Sequence, residues 1–186
     1  VKIIFIDYLQ ILDCSSANPM ANEIDKIAKI TKALKGLALE LNLAVVLMSQ
    51  LNRENTKQAD KRPSLSQLKG SGAIEQDANK IILLHREHYY VANNQSVSDT
   101  FKEALEGVVE IIVDKNRGGQ TGSCLLKWEG STQKIDEFEF GNEDETAEKL
   151  VKYNKAITGE IQEMKPSNNN GQSSGWGNGA TNGGFY

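Results

Sequence analysis

The first six residues include Val1, Ile3, Ile4, Phe5 and Ile6, and this apolar, largely β-branched run stops at Asp7. Such a run predicts a strand buried on both faces, as in a parallel sheet covered by helices. A carboxylate at the C-terminal end of that strand stands where open α/β sheets bind ligands. A plain turn or cap is the competing reading of Asp7. The neighbours decide between the two.

After a polar loop, Ile24, Ile27, Ala28, Ile30, Thr31, Leu34, Leu37, Ala38 and Leu41 recur at three- and four-residue spacing, with Lys26, Lys29, Lys32, Lys35 and Glu40 between them. This predicts an amphipathic helix from about Asn22 to Leu41, with Asn22 as N-cap and Asn42 as the stop. Ala44 to Met48 is a second buried strand that ends in Ser49 and Gln50. Strand, helix and strand in this order make a right-handed βαβ unit.

Leu51 to Ser64 is polar and loop-like. Leu65, Leu68 and Ile74 suggest short helical turns around Lys69 to Gly72. Lys80 to Leu84 is a third buried strand, and Glu87 to Glu106 is a polar insertion containing Tyr89 and Tyr90. His85 and His88 flank Arg86 and are expected in a solvated loop, since no third ligand of matching type accompanies them. Val108 to Val113 is a fourth strand. Gly118 to Gly122 forms a turn, Ser123 to Trp128 its hairpin partner, and Gln133 to Phe140 a last strand. The expected class is α/β: a mainly parallel sheet with flanking helices and a C-terminal antiparallel hairpin edge.

Composition bounds the rest. A net charge of -4 over 186 residues gives no bulk sign of nucleic-acid binding, so any such contact needs a local patch. Cys14 and Cys124 form no disulfide framework, which fits a reduced, cytoplasmic setting. No stretch has the length of a membrane span. The chain opens inside an expected strand and is read as a piece of a longer polypeptide. Residues 1–141 form the expected globular domain and 142–165 a short extension. In the extension, a helix from Glu143 to Ile157 would present Ala147, Leu150, Val151 and Ile157. Residues 166–186, rich in Gly, Asn and Ser, are expected to be disordered.

Polar groups gather where apolar strands stop. Asp7, with Gln10 nearby, ends the first strand. Ser49 and Gln50 end the second, the KGSG segment precedes the third, and Lys115 and Arg117 end the fourth. Apolar residues followed by an acid also match the Walker B pattern, in which the acid holds Mg²⁺ on a nucleotide. An acid for metal, an amide for the γ-phosphate and two cations for transition-state charge suit phosphoryl transfer. The same residues have structural readings: Gln50 as a strand-end residue, the KGSG glycines as a turn, and Lys115 with Arg117 as an exposed hairpin pair.

IDYLQ (Ile6 to Gln10), VVLMSQLNR (Val45 to Arg53), DKRPSLSQLKGSGAIEQDA (Asp60 to Ala78) and DKNRGGQTG (Asp114 to Gly122) occur in this order. Together they resemble the C-terminal RecA-type motor domain of DnaB-type replicative DNA helicases, over about Val1 to Phe140. The resemblance implies a RecA-like fold, an ATP-dependent helicase that unwinds duplex DNA, ATP and Mg²⁺ as cofactors, and single-stranded DNA as partner. It further implies a homohexameric ring, a primase and a helicase loader. By the same resemblance Asp7 acts on Mg²⁺, and Ser49 and Gln50 belong to the nucleotide site. Gln50 couples the γ-phosphate to the DNA loop, and Lys115 and Arg117 reach a neighbour's γ-phosphate. Lys69, Gly70, Ser71 and Gly72 match the loop that holds the DNA backbone. Here the family usually has Arg-Glu-Ser-Gly; a lysine meets phosphate as a point charge without the guanidinium fork. No GxxxxGK[ST] motif is present, so this chain alone is expected not to hydrolyse ATP. A recombinase or other ATPase of the same fold, and a non-catalytic DNA- or hexamer-binding fragment, are the alternative readings.

Overall fold

The computed structural model describes residues 2–13, 22–52, 61–68, 70–138 and 143–158. The expected disordered segment 166–186 and Lys69 lie outside them. The chain opens with strand β1 (Ile3–Ile6), helix α1 (Glu23–Glu40) and strand β2 (Ala44–Leu47). β1 and β2 pair in parallel, with Ile3 opposite Ala44 and Ile6 opposite Leu47. The Asn22 side chain accepts from the Asp25 N–H at 2.8 Å, satisfying an otherwise orphaned donor of the first helical turn. α1 ends where expected: Asn42 takes φ +48°, a left-handed conformation that asparagine tolerates better than most residues.

The segment before Gly70 closes a short 3-10 turn, Leu65–Gln67, and helix α2 (Ser71–Asp77) follows. Strands β3 (Lys80–His85), β4 (Val108–Asn116), β5 (Gly122–Glu129) and β6 (Lys134–Asp136) then form an antiparallel sheet in that order. Parallel and antiparallel pairing both occur, as expected, but in two separate sheets. Among the described residues β2 pairs only with β1, and β3 only with β4.

One expectation is corrected. β1, β2 and β3 are covered on one face, not two. Leu9, Ile27, Leu68, Ile74, Ile81, Leu83 and Ile112 form a buried cluster under α1 and α2. The alternate residues face outward: Phe5 is 64% exposed, Ile82 55% and Leu84 57%. Strand period places them on the opposite face, and no described element covers it.

The insertion Glu87 to Glu106 contains two helices that the sequence reading missed, α3 (Glu87–Val91) and α4 (Asp99–Leu105). Ser98 caps α4, its hydroxyl accepting from the Phe101 N–H at 3.2 Å. Helix α5 (Glu143–Ile157) spans the expected residues but buries a different face. Tyr153 and Ala156 join Val91, Val97, Phe101, Ala104, Leu105 and Val108 in a second core, whereas Val151 and Ile157 are exposed. Packing against α4 fixes that face, and Lys149 Nζ donates to the Glu103 carbonyl at 2.6 Å. No helix among the described residues is long and apolar enough to cross a membrane.

Candidate nucleotide and nucleic-acid site

The parallel register brings the ends of β1 and β2 together. Met48 N donates to Ile6 O at 2.9 Å, and Leu9 N donates to Met48 O at 2.8 Å. Asp7 and the Ser49–Gln50 pair therefore leave the sheet side by side. Asp7 and Gln50 are solvent-exposed and Ser49 is half-buried. Gln10 spans the gap between the two chains. Its Nε2 donates to Ser49 Oγ at 3.1 Å and to Gln50 O at 3.4 Å, and its Oε1 accepts from Gln50 N at 3.3 Å.

A backbone bridge ties this strand end to the segment just before the glycine-rich loop. Leu51 forms an antiparallel bridge with Leu68, and Asn52 N donates to Gln67 O at 2.9 Å. The 3-10 turn before the loop is fixed from two sides. Gln67 Oε1 accepts from Ser64 N at 2.9 Å, and Asp114 Oδ2 of β4 accepts from Leu65 N at 2.9 Å. Gly70 has φ +74°, and a Cβ there would lie 2.9 Å from Ile27 Cδ1 of α1. A left-handed backbone and a close neighbour both favour glycine at this position. Gly72 has nothing within 4 Å of its would-be Cβ.

α2 begins in this loop and ends against the two cations. Lys115 Nζ donates to the Glu75 carbonyl and Arg117 Nη2 to the Gln76 carbonyl. The last carbonyls of a helix lack intrahelical partners and carry the negative end of its dipole, so cations there are favourable. Arg117 N also donates to Asn79 O at 2.9 Å. From the other side, Thr31 Oγ1 of α1 donates to Asp77 Oδ2 at 2.6 Å, and Lys35 Nζ to Asn79 Oδ1 at 2.6 Å.

The structure thus joins Asp7, Ser49 and Gln50 at one sheet end. It joins Lys115 and Arg117 to the far end of the helix that begins at Ser71. Those two cations rest on α2, not on Asp7 or Gln50. Sequence reasoning noted Gln10 only as a neighbour and gave Asp114 no role. The short DYLQ spacing that returns Gln10 to the strand end was the available signal for the first.

The histidine expectation is corrected in part. His85 is only 4% exposed, as the inward-facing last residue of β3. Its Nε2 lies 2.8 Å from Glu87 Oε2, and its ring stacks on Tyr90 at 5.9 Å. Burial pushes the His88 imidazole below its ordinary range; Glu106 opposes the shift, and Arg86, Lys149 and Lys102 add to it. Tyr89 packs edge-on against Tyr90 at 5.4 Å. Among the described residues no three His, Cys, Asp or Glu side chains gather as a metal cage.

Comparison with known proteins places this geometry in a family. The model of the DnaB-like helicase C terminal domain matches residues 1–137. The chain is 42% identical over 135 residues to a probable plasmid replicative DNA helicase of Chlamydia psittaci, covering 73% of this chain and 27% of that protein. It is 35% identical over 145 residues to the replicative DNA helicase DnaB of Rickettsia prowazekii (strain Madrid E), covering 74% of this chain and 29% of that one. Among solved structures, a DnaB-like replicative helicase described with its primase interactions superposes with a TM-score of 0.63. That match has 35% identity and covers 74% of this chain and 31% of that one. The chain therefore spans under a third of the length of these relatives. These matches set the recombinase alternative aside: the chain belongs to the DnaB-like helicase C-terminal domain family.

Proposed function

We propose that this chain is part of the motor of an ATP-dependent replicative DNA helicase, which works in the cytoplasm as a hexameric ring translocating on single-stranded DNA. Primase and a helicase loader are the partners this reading implies. The observation that carries it is the continuity of the described path. Gln50 leads into the Leu51–Leu68 bridge, the bridge leads into the glycine loop, and the loop opens α2, which ends on Lys115 and Arg117. A nucleotide at the sheet end and a DNA strand at the loop would thus be joined by a few residues.

Asp7 fits a magnesium ion in type and position. Mg²⁺ is commonly held by one or two carboxylates plus substrate phosphates, not by a full protein cage. An exposed acid at a strand end, with no three-residue cage among the described residues, suits that mode. When bound, Mg²⁺ would neutralise charge on the phosphates. Gln50 would contact the γ-phosphate side, and the loop Lys69 to Gly72 would meet DNA phosphates through backbone N–H groups and the lysine. Lys115 and Arg117 would leave the α2 carbonyls to reach the γ-phosphate of the adjoining subunit.

The test is subunit mixing in the full helicase. Asp7→Asn rings and Arg117→Ala rings should each be inactive, a trans arginine being worth about 10³ to 10⁵ in rate. Nucleotide binding by Arg117→Ala should stay within about tenfold of wild type, because the charge it meets develops in the transition state. Mixed rings should regain part of the ATPase activity, because some interfaces combine an intact Asp7 with an intact Arg117. No recovery despite proven subunit exchange would place Arg117 in its own subunit's site or in the hairpin alone.

A further inference from the structure

We propose that Gln10 is a positioning residue that aims Gln50 at the nucleotide; the inference rests on the reading of Gln50 given above. The β1–β2 ladder ends with the Leu9 N–H on Met48 O, and the next backbone pairing along the chain is the Leu51–Leu68 bridge. Residue 50 lies between them. Its N–H and its C=O are both held by one side chain, with Gln10 Oε1 accepting at 3.3 Å and Gln10 Nε2 donating at 3.4 Å.

A carboxamide carries a donor and an acceptor on one rigid plane. Exchanging both with one residue reproduces the closely spaced hydrogen-bond pair of an antiparallel ladder. Gln10 therefore serves as a one-residue substitute strand. It fixes the rotation of the chain at residue 50, and with it the direction of the Gln50 Cα–Cβ bond. The third contact, to Ser49 Oγ at 3.1 Å, sets the preceding residue as well. Because Gln10 follows Asp7 by three residues, the same turn that presents the acid also presents the clamp. The spacing between acid and amide is thus set by one short segment, not by two independent loops.

Shape alone does not supply this. A leucine or methionine at position 10 would fill similar space and leave residue 50 without its side-chain partners. A glutamate would keep the acceptor for Gln50 N, lose the donor, and place a carboxylate against the Gln50 carbonyl. Neither would reproduce the paired contact.

The experiment is a double-mutant cycle in the full-length helicase, reading kcat and KM for ATP hydrolysis with and without single-stranded DNA. Gln10→Ala should lower DNA-stimulated kcat by about ten- to a hundredfold, the scale of a small misplacement of a reacting group. KM should change by less than about threefold, since Gln10 touches no phosphate in this reading. Gln10→Glu should fall in the same direction, and gel filtration should show intact rings for both. In a Gln50→Ala background, adding Gln10→Ala should change kcat by less than about twofold, because the group it positions is gone. Two full, multiplying losses would overturn the inference while leaving the role of Gln50 standing. Wild-type turnover in Gln50→Ala would overturn the reading of Gln50 itself, and the inference with it.

Discussion

Gly70 and Gly72 stand two residues apart in one motif and answer to different constraints. At Gly70 a methyl group would meet Ile27 within a backbone of φ +74°. Gly70→Ala should destabilise the domain by roughly 1–3 kcal/mol, from left-handed strain and overpacking together. Gly72 lies in α2 with open space around it, so Gly72→Ala should be neutral or stabilising by up to about 1 kcal/mol. Urea unfolding of the two variants checks the contrast, and equal effects would remove the geometric account of the motif. Glu110 makes a similar point about charge. Arg62 donates to both its carboxylate oxygens, at 2.7 and 3.0 Å, and holds its pKa below the ordinary 4.5 against the opposing effect of burial. A depressed carboxylate stabilises the fold above its unfolded pKa and loses that contribution as pH falls. Arg62→Met should therefore flatten the loss of stability below about pH 4.5, measured by denaturant midpoint against pH.

At the scale of elements, α2 holds the glycine loop proposed to meet DNA at one end and the two cations at the other. Seven residues of helix span only about 10 Å. In the proposed ring, Lys69→Ala should weaken single-stranded DNA binding about equally across sequences. It should lower the slope of log affinity against log salt by no more than about 0.7. A sequence-selective loss would point instead to base contacts. Much of this architecture was legible beforehand. The 3.6-residue period of Ile27, Ile30 and Thr31 and the Asn22 cap marked α1, and the apolar runs marked β1 to β4. The parking of Lys115 and Arg117 was not legible, because their partners are backbone carbonyls, which leave no mark on residue identity. α3 and α4 were missed because each is too short to show a period against the polar composition of the insertion. The outward face of β3 was misread because Ile82 and Leu84 are as apolar as the buried Ile81 and Leu83.

For the whole molecule, purified 1–186 should hydrolyse ATP at background rate, since its sequence contains no GxxxxGK[ST] segment to hold the phosphates. Turnover abolished by Asp7→Asn would show a complete site and refute this. The exposed Phe5, Ile82 and Leu84 should also make that chain prone to self-association in the absence of a covering element. The second core predicts an alkaline limit. Burial, with Glu110 and Glu87 adding to it, pushes the Tyr153 phenol up to about 12. A raised pKa means that unfolded tyrosine, at about 10, loses its proton first. Stability is then full below pH 10 and falls between about 10 and 12, and Tyr153→Phe should remove this component. That side chain also lies beyond the segment that matches the family. The family match stops at residue 137, yet the core that includes Phe101 and Leu105 is closed by Tyr153 and Ala156, beyond it. The segment that matches the family and the segment that packs as one core are therefore not the same stretch of chain. In native-state hydrogen exchange, amides of α4 should exchange in step with those of α5, and Tyr153→Ala should release both while α1 keeps its protection.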